Sequence, residues 1–185
     1  LKEAVNVYLE ALKYHPENYD LYYHLGMVYT RLNDFQSAKE YYEKAAQLNS
    51  LLYQAKYSLA QIALIYNELE EATQYFMECI NGEYLEDLAY YTLAYIAMLK
   101  GEEEKAIEYL NVAIQENSSL YEKAGKEPLF QYIIKRVNKP NKSGKQVEWR
   151  KQVLSRKEKQ VLMHLQNTYE LVGNLNQNDI KAIRT

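Results

Sequence analysis

Cysteine is almost absent from this chain: Cys79 is the only one in 185 residues, so no disulfide can form within it. The three histidines, His15, His24 and His164, are scattered, with no spacing suited to zinc and no HExxH pattern. Six glycines and three prolines are too few for an all-β chain with many tight turns, and no glycine-rich phosphate loop can be built from them. No apolar run approaches the roughly 20 residues needed to cross a bilayer, and no signal-peptide pattern opens the chain. The expectation is therefore a cytoplasmic protein with no membrane span. No nucleophile sits at a workable spacing from a base, which points away from catalysis. No enzyme activity, cofactor or metal is expected. A hydrophobic content of 48% with 25% charged residues is that of a folded chain, which excludes wholesale disorder.

Tyrosine is what the chain has in excess, 20 of 185 residues, and it keeps time. Tyr23, Tyr57 and Tyr91 are 34 apart, as are Tyr41, Tyr75 and Tyr109. Ala4, Ala38, Ala72 and Ala106 hold the same beat, and so do Leu25, Leu59 and Leu93, each with a small residue next to it: Gly26, Ala60 or Ala94. Such a period marks a repeat array. Within one period the spacing is helical. Tyr22, Leu25, Val28, Tyr29 and Leu32 trace one amphipathic helix; after the turn at Asn33-Asp34, Phe35, Ala38, Tyr42, Ala45 and Leu48 trace another. Each period is a helix hairpin, and Gly26 with Ala38 lets two backbones approach while rings fill the space beside them. One hairpin cannot bury its apolar face alone, so hairpins must stack.

The motif Tyr22-x2-Leu25-Gly26-x2-Tyr29, then Ala38-x3-Tyr42 and Ala45, resembles the tetratricopeptide repeat, as found in bacterial arrays of that family. A second copy keeps Leu59, Ala60, Ala72, Phe76 and Cys79 but has Lys56 and Ala63 at two aromatic positions; a third has Tyr90, Leu93, Ala94, Gly101, Ala106, Leu110 and Ala113. The resemblance implies an all-α fold, a right-handed superhelical array of antiparallel helix hairpins with a C-terminal helical extension. Full repeats fall at 19–52, 53–86 and 87–120. Ala4-x3-Tyr8, Ala11 and Pro16 fit only the second helix of an earlier repeat, a partial repeat within 1–18. At 121–137 the pattern breaks at Glu127, Gly125 and Pro128, as in a degenerate end segment, and Pro128 suits a short helix running to about Val137. These units make up an array over 1–137.

The resemblance also implies a function: first helices of such arrays line a concave groove that holds other proteins. Carried over residue by residue, the groove comprises Tyr23, His24, Met27 and Arg31, then Tyr57, Ser58, Gln61 and Leu64, then Tyr91, Thr92, Tyr95 and Met98. Tyrosines there offer stiff contact area with a hydroxyl, although packing between repeats would use the same rings. The second ladder, Tyr41, Tyr75 and Tyr109, reads as inter-repeat packing. With Arg31 the only cation in that groove set, a clamp for a partner's carboxylate is disfavoured, and a basic or amphipathic protein segment suits the groove better.

Charge divides the chain. Residues 1–120 carry a net −11 and residues 121–185 a net +8. After an exposed linker at 138–145, residues 146–185 read as a basic helical tail. Val147, Leu154, Val161, Leu165, Thr168 and Val172 form one stripe; Arg150, Lys151, Arg156, Lys157 and Lys159 supply cations. Ser155-x-x-Glu158 is a capping-box spacing that would break the stretch in two. This tail is a candidate occupant of the groove, in cis or in trans, or else a set of extra capping helices. The alternative function is contact with nucleic-acid phosphates through the same cations, although the sequence has no long recognition helix after them.

Overall fold

A computed structural model describes residues 1–140 of the chain; the linker beyond Pro140 and the tail expected at 146–185 lie outside the described residues. Eight α-helices succeed one another among the described residues: α1 Lys2–Tyr14, α2 Tyr19–Arg31, α3 Phe35–Leu48, α4 Tyr53–Ile65, α5 Leu69–Asn81, α6 Glu86–Leu99, α7 Glu103–Glu116 and α8 Ser119–Lys126. Each of α2 to α7 packs on its neighbours in sequence, giving a superhelical array of antiparallel hairpins.

The hairpin turns repeat as strictly as the rings do. Asn33, Asn67 and Gly101, 34 residues apart, all take positive φ, at 59°, 59° and 76°. Asparagine and glycine are the residues that adopt this left-handed conformation at least cost. The second helix then starts two residues later, at Phe35, Leu69 and Glu103. Asp34 caps the first of these, its carboxylate accepting from Ser37 N at 3.1 Å and from Ser37 Oγ at 2.7 Å.

Close packing explains the small residues. A Cβ on Gly26 would lie 2.6 Å from the ring of Tyr42, which sits on the facing helix α3. Ala38, Ala45, Ala55, Ala60, Ala72, Ala89, Ala94, Ala106 and Ala113 are fully buried. Large rings bridge adjoining cores: Tyr29, stacked on Tyr41 at 5.2 Å, packs against the cores around Leu25 and around Tyr42, and Tyr109, 6.1 Å from Tyr90, against those around Leu93 and around Tyr91. Tyr75 packs against both the core around Phe76 and the core around Tyr42. Cys79 is buried in a small-residue slot, and burial pushes its thiol up to about 12.

The C-terminal end of the array differs from the sequence expectation of a helix from Pro128 to about Val137. Instead α8 runs through Gly125 and stops at Lys126, and two 3-10 turns come after it at Pro128–Phe130 and Ile134–Arg136. The cause is local. Proline disfavours α backbone in the residue before it, and Glu127 is extended at φ −76°, ψ 117°. The turns then press Phe130, Ile133 and Val137 onto α6 and α7, burying all three.

Candidate functional site: the first-helix face

The residues expected in the groove stand on α2, α4 and α6, and the structure treats them unequally. On α2, Tyr23 is partly buried, its ring 5.6 Å from Tyr42 and 5.8 Å from His24. Burial raises the Tyr23 phenol well above the usual tyrosine range, so it stays a neutral donor. His24 is exposed; its Nδ1 donates to Asp20 O at 2.6 Å, and Tyr8 stacks on its ring at 5.6 Å. Met27 is partly buried and Arg31 exposed.

On α4 the face is nearly sealed. Tyr57 is 1% exposed, held edge-on by Phe76 at 5.4 Å and Tyr84 at 6.1 Å. Ser58 turns its hydroxyl onto Gln54 O of its own helix at 3.0 Å. Gln61 is 5% exposed, and its Nε2 has no hydrogen-bond acceptor among the described residues. Leu64 remains partly exposed.

On α6, Tyr91 is 2% exposed: Phe130 meets it edge-on at 5.5 Å, and Lys123 Nζ lies 4.9 Å from its ring centroid. Thr92 donates to Leu88 O at 2.9 Å, and Met98 is buried. Tyr95 is partly exposed with Phe130 at 6.3 Å, and burial raises its phenol. The rings of Tyr57 and Tyr91, which the sequence offers as groove surface, are thus taken up by packing. Tyr23, His24, Met27, Arg31, Leu64 and Tyr95 keep accessible surface.

Two of the covering residues escape the sequence pattern. Tyr84 falls between α5 and α6, flanked by Glu83 and Leu85 at positive φ, and the residues 34 before and after it are Ser50 and Ser118. Periodicity therefore gives no signal for it. Phe130 lies in the degenerate end segment, where the repeat register is already lost.

The acidic charge is not where the residues of the groove are. The helices α2, α4 and α6 carry only Asp20, Arg31, Lys56, Glu86 and Asp87 between them. Seven glutamates sit on α5 and α7 with Lys105 as the one cation there. Several acids are bridged between repeats: Lys39 meets Glu68 and Glu71 at 3.2 Å each, Lys100 meets Glu70 at 3.1 Å, and Arg136 meets Glu103 at 3.5 Å and also Glu104. No group of three or more metal-ligating side chains occurs among the described residues, and no described helix is long and apolar enough to cross a membrane.

Known proteins share this pattern. The family pattern described as tetratricopeptide repeat matches residues 19–50 and 88–124, and a second, described as TPR repeat, matches residues 1–33. No curated protein matches in sequence. Among solved structures, that described as "Crystal structure of MamA" aligns with a TM-score of 0.63 at 18% identity, over 96% of this chain and 89% of that one. At that identity the likeness speaks to the fold.

Proposed function

Since the chain is a tetratricopeptide repeat protein, and such a fold is a protein–protein interaction scaffold, we propose that its first-helix face holds an amphipathic helical segment of a protein partner without doing chemistry on it. The observation that carries this reading is the pairing of accessible aromatic and apolar groups with very little charge: Tyr23, Met27, Leu64 and Tyr95 keep exposed surface on helices that carry five charged residues in all. Such a face takes an apolar stripe, and with Arg31 as the one cation of the groove set it offers little to offset the desolvation of a lone carboxylate or phosphate. The glutamates on α5 and α7 act at longer range, favouring approach of a segment whose polar side is basic. The chain's own residues 146–172, with an apolar stripe and five cations, have that chemistry. Binding of this kind is non-covalent and calls for no cofactor.

The reading is tested on the full chain with a fluorescein-labelled synthetic peptide of residues 146–172 and an acidic peptide of equal length as control. The basic peptide binds, the control does not, and Tyr95→Ala or Tyr23→Ala weakens binding at least tenfold while the helical signal holds. Equal binding of both peptides, or indifference to both substitutions, would remove the first-helix face from the function.

A further inference from the structure

Tyrosines aside, two polar side chains are buried among the described residues, Gln61 at 5% and Thr92 at 1% exposed. Thr92 closes on its own helix, donating to Leu88 O at 2.9 Å. Thr30 and Ser58 do the same, to Gly26 O at 2.8 Å and to Gln54 O at 3.0 Å. A short hydroxyl side chain reaches back to the carbonyl four residues earlier in this way. A carboxamide stands further out from the backbone and needs an acceptor from elsewhere, and Gln61 Nε2 has none among the described residues. Burying that N–H unpaired costs stability, whereas a leucine or methionine would fill the place without the cost. The residue lies on α4 in register with Met27 on α2 and Tyr95 on α6. It is thus the middle member of a row on the first-helix face whose outer members keep accessible surface.

The donor lacks an acceptor, and the face narrows which one a bound helix can bring. A carboxylate would have to be desolvated with Arg31 as the one cation of the groove set, against a net charge of −8 on residues 1–140. Main-chain carbonyls are taken up within a helix except in its last turn. Serine and threonine hydroxyls turn back on their own backbone, as Thr30, Ser58 and Thr92 do here. An asparagine or glutamine carboxamide is left, uncharged and with a carbonyl oxygen free to accept.

We propose that Gln61 is the specificity-determining residue of the first-helix face, donating from Nε2 to the side-chain carbonyl of an asparagine or glutamine set within the apolar stripe of the bound helix. The inference rests on the reading of that face as a binding surface and adds the residue type that the partner carries there. Nε2 is buried in the free chain, so the incoming carboxamide displaces a neighbouring side chain to reach it. Met27, in register and partly exposed, has the unbranched, flexible side chain that re-packs most readily. A helix with a wholly apolar stripe leaves the donor unpaired, and the site discriminates against it on that account.

The test uses the full chain and a synthetic amphipathic helix with lysines on its polar face and an all-leucine stripe, together with versions carrying a single asparagine at each stripe position in turn. Asparagine gives up apolar contact, so it weakens binding wherever it finds no donor. At one position the asparagine peptide binds several-fold tighter than its parent, and Gln61→Leu reverses that order, a coupling of about tenfold. If Gln61→Leu lowers the helical signal, Gln61→Met, which repeats the residue at position 27, takes its place. The Gln61 side-chain amide resonance, identified by its absence from the variant, moves downfield on saturation with the preferred peptide. Asparagine that weakens binding at every position, a preference that survives Gln61→Leu, or an amide resonance that does not move overturns the proposal. A long-lived water at that amide in both the free and the bound chain overturns it as well. A parent peptide that binds with no gain from asparagine removes this inference alone, whereas failure of every peptide to bind removes the groove reading and this inference with it.

Discussion

Tyr23 and Tyr91 hold the same position in two repeats, and their surroundings differ. Tyr23 keeps accessible surface beside exposed His24 and Arg31, whereas Tyr91 lies beneath Phe130 with Lys123 over its ring. The difference comes from the unit stacked after each repeat rather than from the repeat itself. After α6 and α7, α8 and the two 3-10 turns fold back on α6; after α2 and α3 comes the regular hairpin α4–α5 instead. A repeat position thus sets which way a ring faces, and the neighbouring unit decides whether it is surface or core. The first-helix face consequently keeps Tyr23 accessible on α2 and seals Tyr91 on α6, where Tyr95 stays partly exposed.

The strongest way to break this contrast is to remove the closing ring. Phe130 is fully buried against Tyr91 and Tyr95, so Phe130→Ala leaves a large cavity and costs about 3–5 kcal/mol. Urea denaturation measures the loss. Tyr91 should at the same time become accessible to tetranitromethane. A loss below about 1 kcal/mol would mean that the end segment lies on the array without holding it together.

Next in size is the contrast within the tyrosine ladder itself. Tyr57→Ala removes a ring packed by Phe76 and Tyr84 and should cost about 3 kcal/mol in urea denaturation, whereas Tyr23→Ala, at a partly exposed site, should cost about half that. The peptide-binding losses run the other way, because Tyr23 keeps accessible surface and Tyr57 does not. Equal stability losses at both positions would make the two sites alike and undo the comparison.

The array itself was legible because its causes are local and periodic. Leu25, Leu59 and Leu93, the small residues after them and the left-handed Asn33, Asn67 and Gly101 all answer to hairpin geometry, which each repeat must solve again. The openness of the site was not legible in the same way. Tyr57 is covered by Tyr84 from an irregular connection, and Tyr91 by Phe130 from a segment outside the period. The end segment misled through Pro128, which fits the first turn of a helix as well as it fits the 3-10 turn that forms.

Gly26 sharpens the comparison between repeats at a smaller scale. Alanine is the residue at the equivalent positions 60 and 94, and in an unconstrained helix glycine to alanine would gain about 1 kcal/mol. Here the Cβ would meet the Tyr42 ring at 2.6 Å, so Gly26→Ala should instead cost about 1–2 kcal/mol. The facing rows carry Phe76 and Leu110 in the other two repeats, without the tyrosine hydroxyl. Adding Tyr42→Phe would not relieve the clash, because the contact is with ring carbons; Tyr42→Leu should. A Gly26→Ala chain as stable as its parent would show that Tyr42 can shift freely.

Gln61 gives the smallest effect, and the sign of that effect is informative. It stands in register with Met27 and Tyr95, and is 5% exposed with an Nε2 that has no acceptor among the described residues. Burying an amide N–H without an acceptor costs free energy, while an apolar side chain of similar size at the same place carries no such penalty. Gln61→Leu should therefore leave stability unchanged or raise it by up to about 1 kcal/mol in urea denaturation. A residue that weakens the fold in isolation is accounted for if a bound segment supplies the missing acceptor. The same variant should then bind the 146–172 peptide several-fold more weakly, although its face has become more apolar. A loss of stability above about 2 kcal/mol would instead assign Gln61 to the core, and the accessible groove would shrink to its two ends, around Tyr23 and around Tyr95.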